Sequence, residues 1–165
     1  MLIRKLQQED KEQIRTILEG TVVFTKEEID VAVELMEIFL EDQDQHDYDM
    51  YTAVEQENDV LGFVCMGATP LTEGTFDLYW IAVKSSHHHR GIGKQLLEHA
   101  EGVVRSNGGR LLIAETSSQP KYDNTRSFYI KNHYQEVARI KNYYKQDDDL
   151  VIYGKYLSQP QEEHK

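Results

Sequence analysis

Apolar side chains recur along this chain at two spacings, one typical of helices and the other of strands. The helical spacing first occurs in residues 9–20, where the pattern stops at Gly20. A second helix is predicted over residues 24–42, and it begins with Thr25 and Glu28 at the spacing of a capping box. The chain therefore opens with two amphipathic helices, after one short apolar run at its start.

The remaining elements alternate between strands and helices. Strands are predicted over residues 2–6, 50–55, 60–68, 74–83, 110–116, 135–140 and 149–157. Two more helices are predicted, one between residue 91 and the Asn-Gly-Gly run that follows Ser106, and one over residues 125–133. The centre then has the order strand, loop, helix, strand, which normally produces a parallel strand pair. We expect an α/β fold around a mixed sheet.

Composition narrows the class of protein. The net charge of −11 is uneven, because residues 1–83 carry five Lys or Arg against 19 Asp or Glu. Nucleic-acid binding is not expected without a basic surface, and no apolar run is long enough for a membrane span. The single cysteine, Cys65, fits a reducing cytoplasm. We expect one domain over residues 1–157 and a disordered tail over residues 158–165.

The loop after the central strand holds the most specific motif, Arg90-Gly91-Ile92-Gly93-Lys94. It lies where a helix begins, so backbone N–H groups lack partners and the helix dipole adds positive potential. The two glycines let a ligand approach the backbone, which predicts an anion site. Three adjacent histidines precede Arg90, but adjacent loop residues rarely converge on one ion, and we expect no metal.

Two segments resemble the GNAT superfamily of N-acetyltransferases. "DLYWIAVKSSHHHRGIGKQLLEHA" is similar to the family's first motif, in which a strand leads into a Gly-x-Gly loop at a helix start. "NTRSFYIKNHYQEVARI" is similar to its second motif, in which a helix carries a tyrosine. The resemblance covers roughly residues 2–157 and is strongest over 77–134. It implies a mostly antiparallel sheet with helices on both faces and a central parallel pair that splays apart.

The resemblance also implies acetyl-CoA as cosubstrate and a role for each matching residue. Tyr129 would lie near the thioester sulfur as the general acid, and Asp77 would serve as the general base. Glu115, on the next predicted strand, does not come from the resemblance but is a rival for the role of base. The cofactor would be bound by backbone groups of the strand end and of the loop, and by two residues of the later helix. These cofactor-binding residues are Ile81, Ala82, Val83, His88, His89, Arg90, Gly91, Ile92, Gly93, Lys94, Asn124 and Tyr129.

The chain departs from the family pattern at several positions. His88 replaces a Gln or Arg, and Asn124 lies two residues after the usual asparagine, so it either substitutes for that residue or caps the helix. His133-Tyr134 replaces Gly-Phe, which is expected to alter a turn rather than the chemistry.

The acceptor is predicted to be a primary amine on a small cationic molecule, because residues 41–49 are strongly acidic. Two alternatives remain: a protein or peptide amine as acceptor, and a non-catalytic acyl-CoA-binding domain. Whether the chain forms a homodimer is left open.

Overall fold

The computed structural model describes residues 1–157, so the tail expected over residues 158–165 lies outside the described residues. These residues form seven strands and four helices, and single 3-10 turns connect some of them. In chain order the elements are β1 Leu2–Lys5, α1 Lys11–Gly20, α2 Lys26–Glu41, β2 Asp49–Val54, β3 Val60–Ala68, β4 Thr75–Val83, α3 Ile92–Ser106, β5 Leu111–Ser117, α4 Asp123–Lys131, β6 Gln135–Lys145 and β7 Asp148–Tyr156. None of these helices is long and apolar enough to cross a membrane.

The strands form one mixed sheet in the order β1-β2-β3-β4-β5-β7-β6. The expected parallel pair is β4 with β5, and its ladder joins Thr75, Phe76 and Asp77 to the first three residues of β5. The pairs β1–β2, β2–β3, β5–β7 and β6–β7 are antiparallel. The α/β fold and the mixed sheet predicted from the sequence are confirmed.

Residues 1–67 and 78–100 form the first of two internally packed units. Its core joins α1 and α2 to the strands β2 and β3 through fully buried side chains such as Ile14, Leu18, Met36, Met50 and Phe63. The predicted capping box is present, since Thr25 accepts from the Glu28 N–H and Glu28 accepts from the Thr25 N–H. Burial of these apolar side chains is the main source of stability for such a unit.

The second unit contains residues 68–77 and the described residues from 101 onward. Strand β7 pairs with both β5 and β6 here, with register shifts in the β6 ladder, and α4 contributes Tyr129 to their buried face. Several predicted boundaries shift, and α4 ends at Lys131 instead of His133. Strand β6 continues to Lys145 instead of ending at Ile140, and α4 begins at Asp123 instead of Thr125. Residues 141–145 are all exposed and the added residues of α4 are Asp123 and Asn124, so an alternation of buried and exposed positions gave no signal for either extension.

A buried ion pair stabilises the first unit. Asp10 is fully buried, and both of its carboxylate oxygens accept hydrogen bonds from the Arg4 guanidinium, at 2.7 and 2.9 Å. The Thr52 hydroxyl and the Gln7 N–H donate further bonds to the same carboxylate, at 3.0 and 2.9 Å. Burial opposes ionisation, but the bonds from Arg4, Gln7 and Thr52 outweigh it and lower the pKa of Asp10 below its ordinary value of 3.8.

We expect Asp10→Asn to destabilise the protein by about 3 kcal/mol at neutral pH, because the Arg4 charge would lose its partner. Since the folded-state pKa of Asp10 is lowered, its ionised form contributes stability above pH 3.8, and this contribution is lost as the pH falls through the folded pKa. Urea unfolding of both proteins between pH 7 and pH 2.5 measures the difference. The difference in unfolding free energy between the two proteins should narrow below about pH 4. A difference that stays constant with pH would contradict the stabilising role of the ionised Asp10.

Candidate active site

The loop that follows β4 presents a row of backbone N–H groups. The first hydrogen bond of α3 runs from the Gln95 N–H to the Gly91 carbonyl at 3.1 Å, so the N–H groups of residues 91–94 have no acceptor within the helix. Gly91 has φ +78°, and a Cβ placed on it would meet nothing within 4 Å. Open space therefore lies beside the start of a 15-residue helix, where the dipole is positive. This arrangement can bind an anion.

Three contacts hold the loop in place, two of them to β3 and the residue before it and one to the end of β4. The Lys84 N–H donates to the Leu61 carbonyl at 2.7 Å, and Lys84 Nζ pairs with Asp59 at 2.8 Å. His88 Nε2 donates to the Val83 carbonyl at 2.9 Å. The His88 side chain therefore ties the loop to the end of β4, a role that the sequence did not reveal. His87 contacts only its neighbour Ser86 among the side chains of the described residues.

His89 has φ +63°, a left-handed conformation that side chains other than glycine rarely adopt. With Gly91 it gives the loop two left-handed residues immediately before the helix. When φ changes sign between successive residues, their N–H groups turn toward a common point, and such a backbone nest can hold an anion. The feature of His89 that suits anion binding is therefore its left-handed backbone, and its imidazole is exposed to solvent.

The predicted strand residues lie where β4 meets β3 closely. A Cβ on Gly62 would come within 2.6 Å of the Ala82 carbonyl and 3.2 Å of the Val83 Cα, so only glycine fits there. Ala82 is buried, while Ile81 and Val83 are half-buried. Gly62 was not identified from the sequence, although a glycine inside a strand often marks such a close approach.

The charged residues of the loop are solvent-exposed. Arg90 is exposed, and Lys94 Nζ lies 3.7 Å from Glu98 one turn later. Exposed pairs of this kind contribute little to stability, so both cations remain available to a ligand. Within residues 1–157, no cluster of three His, Cys, Asp or Glu side chains is arranged to hold a metal ion.

Tyr129 lies in an aromatic cluster of the second unit. Its ring stacks on Tyr153 with centroids 5.7 Å apart, and Phe128 and Tyr134 each lie 5.6 Å away. The side chain is 5% exposed, and burial raises the pKa of its phenol. Tyr129 is therefore protonated at neutral pH, as a general acid must be before it donates.

Buried charge lies next to this cluster, and the sequence analysis missed it. Glu101 is 3% exposed, and Lys155 Nζ donates to both of its oxygens, at 2.9 and 3.0 Å. The Tyr134 hydroxyl donates to Glu101 at 3.1 Å, and burial together with Glu101 raises the Tyr134 pKa. The residue that replaces the family's phenylalanine thus adds a hydrogen bond. Glu101 follows Leu97 by one helical turn and so lies on the apolar stripe of α3. This position was the signal in the sequence from which its burial could have been predicted.

The two predicted bases have different surroundings. Asp77 is half-buried and accepts a hydrogen bond from the Thr69 hydroxyl at 2.6 Å. Glu115 is exposed on β5. Either carboxylate can accept a proton, so the geometry does not distinguish between them.

Two other residues from the second motif are now placed. Asn124 is the second residue of α4, and Tyr122 is the capping residue, so the alternative that Asn124 caps the helix is wrong. Arg126 pairs with Asp123 and also donates to the Ser117 carbonyl at 2.6 Å.

Comparison with known proteins identifies the class to which these features belong. The model of the GNAT acetyltransferase family matches residues 11–134. A crystal structure from Desulfovibrio desulfuricans, assigned to the GNAT acetyltransferases, is 40% identical over 95% of this chain and 99% of that chain, with a TM-score of 0.91. No protein in a search of curated sequences matches.

More distant solved structures share the fold. An aminoglycoside 6'-N-acetyltransferase complexed with coenzyme A is 20% identical over 97% of this chain and 99% of that chain, with a TM-score of 0.76. The ribosomal-protein-S18-alanine N-acetyltransferase from Escherichia coli is 17% identical over 99% and 98%, with a TM-score of 0.74. The chain belongs to the GNAT acetyltransferase family. It is accordingly an acyltransferase, and acetyl-CoA is the cosubstrate of its family.

Proposed function

We propose that this protein transfers the acetyl group of acetyl-CoA to a primary amine of a small cationic molecule, by direct attack in a ternary complex. The observation that carries the proposal is the start of α3. Four consecutive N–H groups there have no acceptor within the helix, and the first of them belongs to Gly91, which has φ +78°. A pyrophosphate is the part of acetyl-CoA that such a site fits. Backbone N–H groups from His89 to Lys94 would hold it, with Arg90 and Lys94 adding charge.

Three tasks fall to the chain's own residues. Asp77 or Glu115, directly or through water, takes the proton that the ammonium form of the acceptor must lose before its nitrogen can attack. A backbone N–H near Val83 donates to the carbonyl oxygen as that oxygen gains negative charge. Tyr129 then gives its phenolic proton to the departing thiolate, and the second proton that the attacking nitrogen loses as the amide forms restores the phenol. The acetyl group moves from sulfur to nitrogen, and no covalent bond to the protein forms, which agrees with buried Cys65, whose pKa is raised by burial.

The remaining proposed contacts concern the rest of the cofactor. The backbone of Ile81, Ala82 and Val83 would bind the pantetheine arm in the manner of a neighbouring strand. His88 and Ile92 would contribute through the backbone of the loop, and Asn124, exposed on the first turn of α4, would contact the cofactor by its side-chain amide. The assignments of Ile81, Ala82, Val83 and Ile92 follow the family pattern, whereas those of His88 and Asn124 are made at positions where this chain departs from it.

The acceptor class is supported by residues 41–49 in the first unit. Among the described residues, none of the salt bridges involves the five carboxylates of this segment, Glu41, Asp42, Asp44, Asp47 and Asp49. Next to them, Tyr48 and Tyr79 form an edge-to-face ring pair with centroids 5.6 Å apart. Unneutralised carboxylates beside aromatic faces suit an alkylammonium group.

Thiol release from acetyl-CoA tests the proposal with a panel of amines: a polyamine, an amino acid amide, an aminoglycoside and a peptide with a free N-terminus. We expect turnover with small polycations. If release stays at background with every amine while coenzyme A still raises the Tm, the protein is an acyl-CoA-binding domain without this activity. If only the peptide is acetylated, the acceptor is a protein amine.

Neutralising the acidic segment should raise the KM for a polyamine. The double variant Asp42→Asn/Asp44→Asn removes two charges, and we expect KM to rise about fivefold or more with kcat nearly unchanged, since each lost attraction at an exposed site contributes roughly 0.5 kcal/mol. The matched control is Glu9→Gln/Glu12→Gln, which makes the same charge change at two exposed residues of the same unit. Equal KM values for the two variants would remove the segment from acceptor binding.

A further inference from the structure

Thr116 carries a buried hydroxyl without a hydrogen-bond partner. Its side chain is 5% exposed, and within the described part of the chain no donor or acceptor reaches Thr116 Oγ1. Buried hydroxyls are nearly always paired, because the loss of water is otherwise uncompensated. The next residue shows the usual situation, since the Ser117 hydroxyl donates to Asp148 at 2.5 Å. The unpaired Thr116 hydroxyl therefore indicates a partner that the protein itself does not supply.

The strand register places this hydroxyl on the face of β5 that Tyr129 covers. Tyr129 stacks on Tyr153, and Tyr153 lies directly opposite Ala114 in the β5–β7 ladder. Directly opposed residues of an antiparallel pair share a face, and so do residues two apart along a strand. Thr116 is two residues beyond Ala114, so its side chain lies on the same face as Tyr153 and, through Tyr153, as Tyr129.

Thr116 also lies beyond the end of a ladder. The parallel pairing of β5 with β4 comprises three residue pairs and stops at Ile113, whereas β5 continues to Ser117. On its other side, β5 stays paired with β7 beyond Ile113, and Thr116 lies opposite Val151 in that ladder. An unpaired hydroxyl thus coincides with the segment of β5 that extends past its parallel ladder, on the face of the proposed general acid.

We propose that the Thr116 hydroxyl forms a hydrogen bond with an amide group of the pantetheine arm of coenzyme A. The inference rests on the proposed use of acetyl-CoA. Between its thiol end and its pyrophosphate, the arm offers two amides, each with one donor and one acceptor. A hydroxyl both donates and accepts, so it pairs with either end of an amide. Tyr129 acts at the sulfur, and Thr116 holds the chain of atoms that leads to the sulfur.

The test is the near-isosteric variant Thr116→Val, with affinity for coenzyme A measured by titration calorimetry. We expect the dissociation constant to rise about tenfold, because a buried hydrogen bond to the ligand is lost. Adenosine 3′,5′-bisphosphate lacks the pantetheine arm, and its affinity should stay unchanged.

Two further measurements concern the hydroxyl itself. Without ligand, the Tm of Thr116→Val should be the same as that of the wild type or up to about 2–4 °C higher, since a buried unpaired hydroxyl is removed. Thr116→Ser, which keeps the hydroxyl, should bind coenzyme A within about twofold of the wild type.

Thr52→Val is the matched control. Thr52 is fully buried like Thr116, but its hydroxyl is bonded to Asp10, so this variant should lose stability and keep its affinity for coenzyme A. Unchanged affinity of Thr116→Val for coenzyme A, or an equal loss for the bisphosphate, overturns the inference and leaves the proposed function intact. If the wild-type protein itself fails to bind coenzyme A, both proposals are wrong.

Discussion

Replacing Gly91 with glutamate should abolish coenzyme A binding at concentrations that saturate the wild type. Gly91 has φ +78°, where a residue with a side chain costs roughly 1–2 kcal/mol. Relief of that strain turns the N–H groups of the loop away from a common point. The new carboxylate also enters the open space at the positive end of α3 and competes there with a phosphate. Together these effects amount to about 3 kcal/mol, a loss of roughly 100-fold or more in affinity.

Two controls separate the causes in this experiment. Gly91→Ala has the same backbone strain without the charge, and a Cβ meets nothing within 4 Å, so its affinity should fall by less than that of the glutamate variant. His87→Ala changes a half-buried side chain that is hydrogen-bonded to its neighbour Ser86, and this variant should bind as the wild type does. Calorimetric titration with coenzyme A measures all three variants. Wild-type affinity in Gly91→Glu would show that the start of α3 does not hold the cofactor.

The order of elements was predictable because apolar periodicity and glycine stops are local properties of the sequence. Gly20 ends α1, the Thr25 and Glu28 pair begins α2, and both are found as expected. The loop was predictable for a related reason, since two glycines at a helix start determine what a backbone can do. What failed locally was the end of β6, where exposed residues continue the strand past an irregularity to the pairing of Lys145 with Asp148 of β7.

The buried polar residues were not predictable, because their partners are distant in sequence. Glu101 and Lys155 are 54 positions apart, and Asp10 and Thr52 are 42 apart. Nothing in the segment around Thr116 distinguishes a paired hydroxyl from an unpaired one, since that depends on every side chain packed above β5. Burial and satisfaction of hydrogen bonds are properties of tertiary structure. The sequence indicated the proposed general acid, but not its surroundings.

We expect Tyr129→Phe to lose most of its acetyl-transfer activity, because the variant lacks the phenolic proton that the buried aromatic cluster holds in place. The variant keeps the ring that stacks on Tyr153, so its Tm should stay near that of the wild type. Its affinity for coenzyme A should change by less than about twofold, because the proposed pyrophosphate site lies on another element. Single-turnover acetyl transfer should slow about 100-fold, since the thiolate would leave without the proton that a positioned acid supplies.

Tyr153→Phe is the matched control for that experiment, because it removes a hydroxyl from the other ring of the same stack. We expect it to transfer acetyl at close to the wild-type rate. The pH profile gives a second measure: burial raises the Tyr129 pKa, so the acid stays protonated through pH 9 and no loss of rate from its ionisation should occur below that value. An acetyl-transfer rate in Tyr129→Phe equal to that in Tyr153→Phe would exclude Tyr129 as the acid, whereas a selective loss would assign the proton to this phenol.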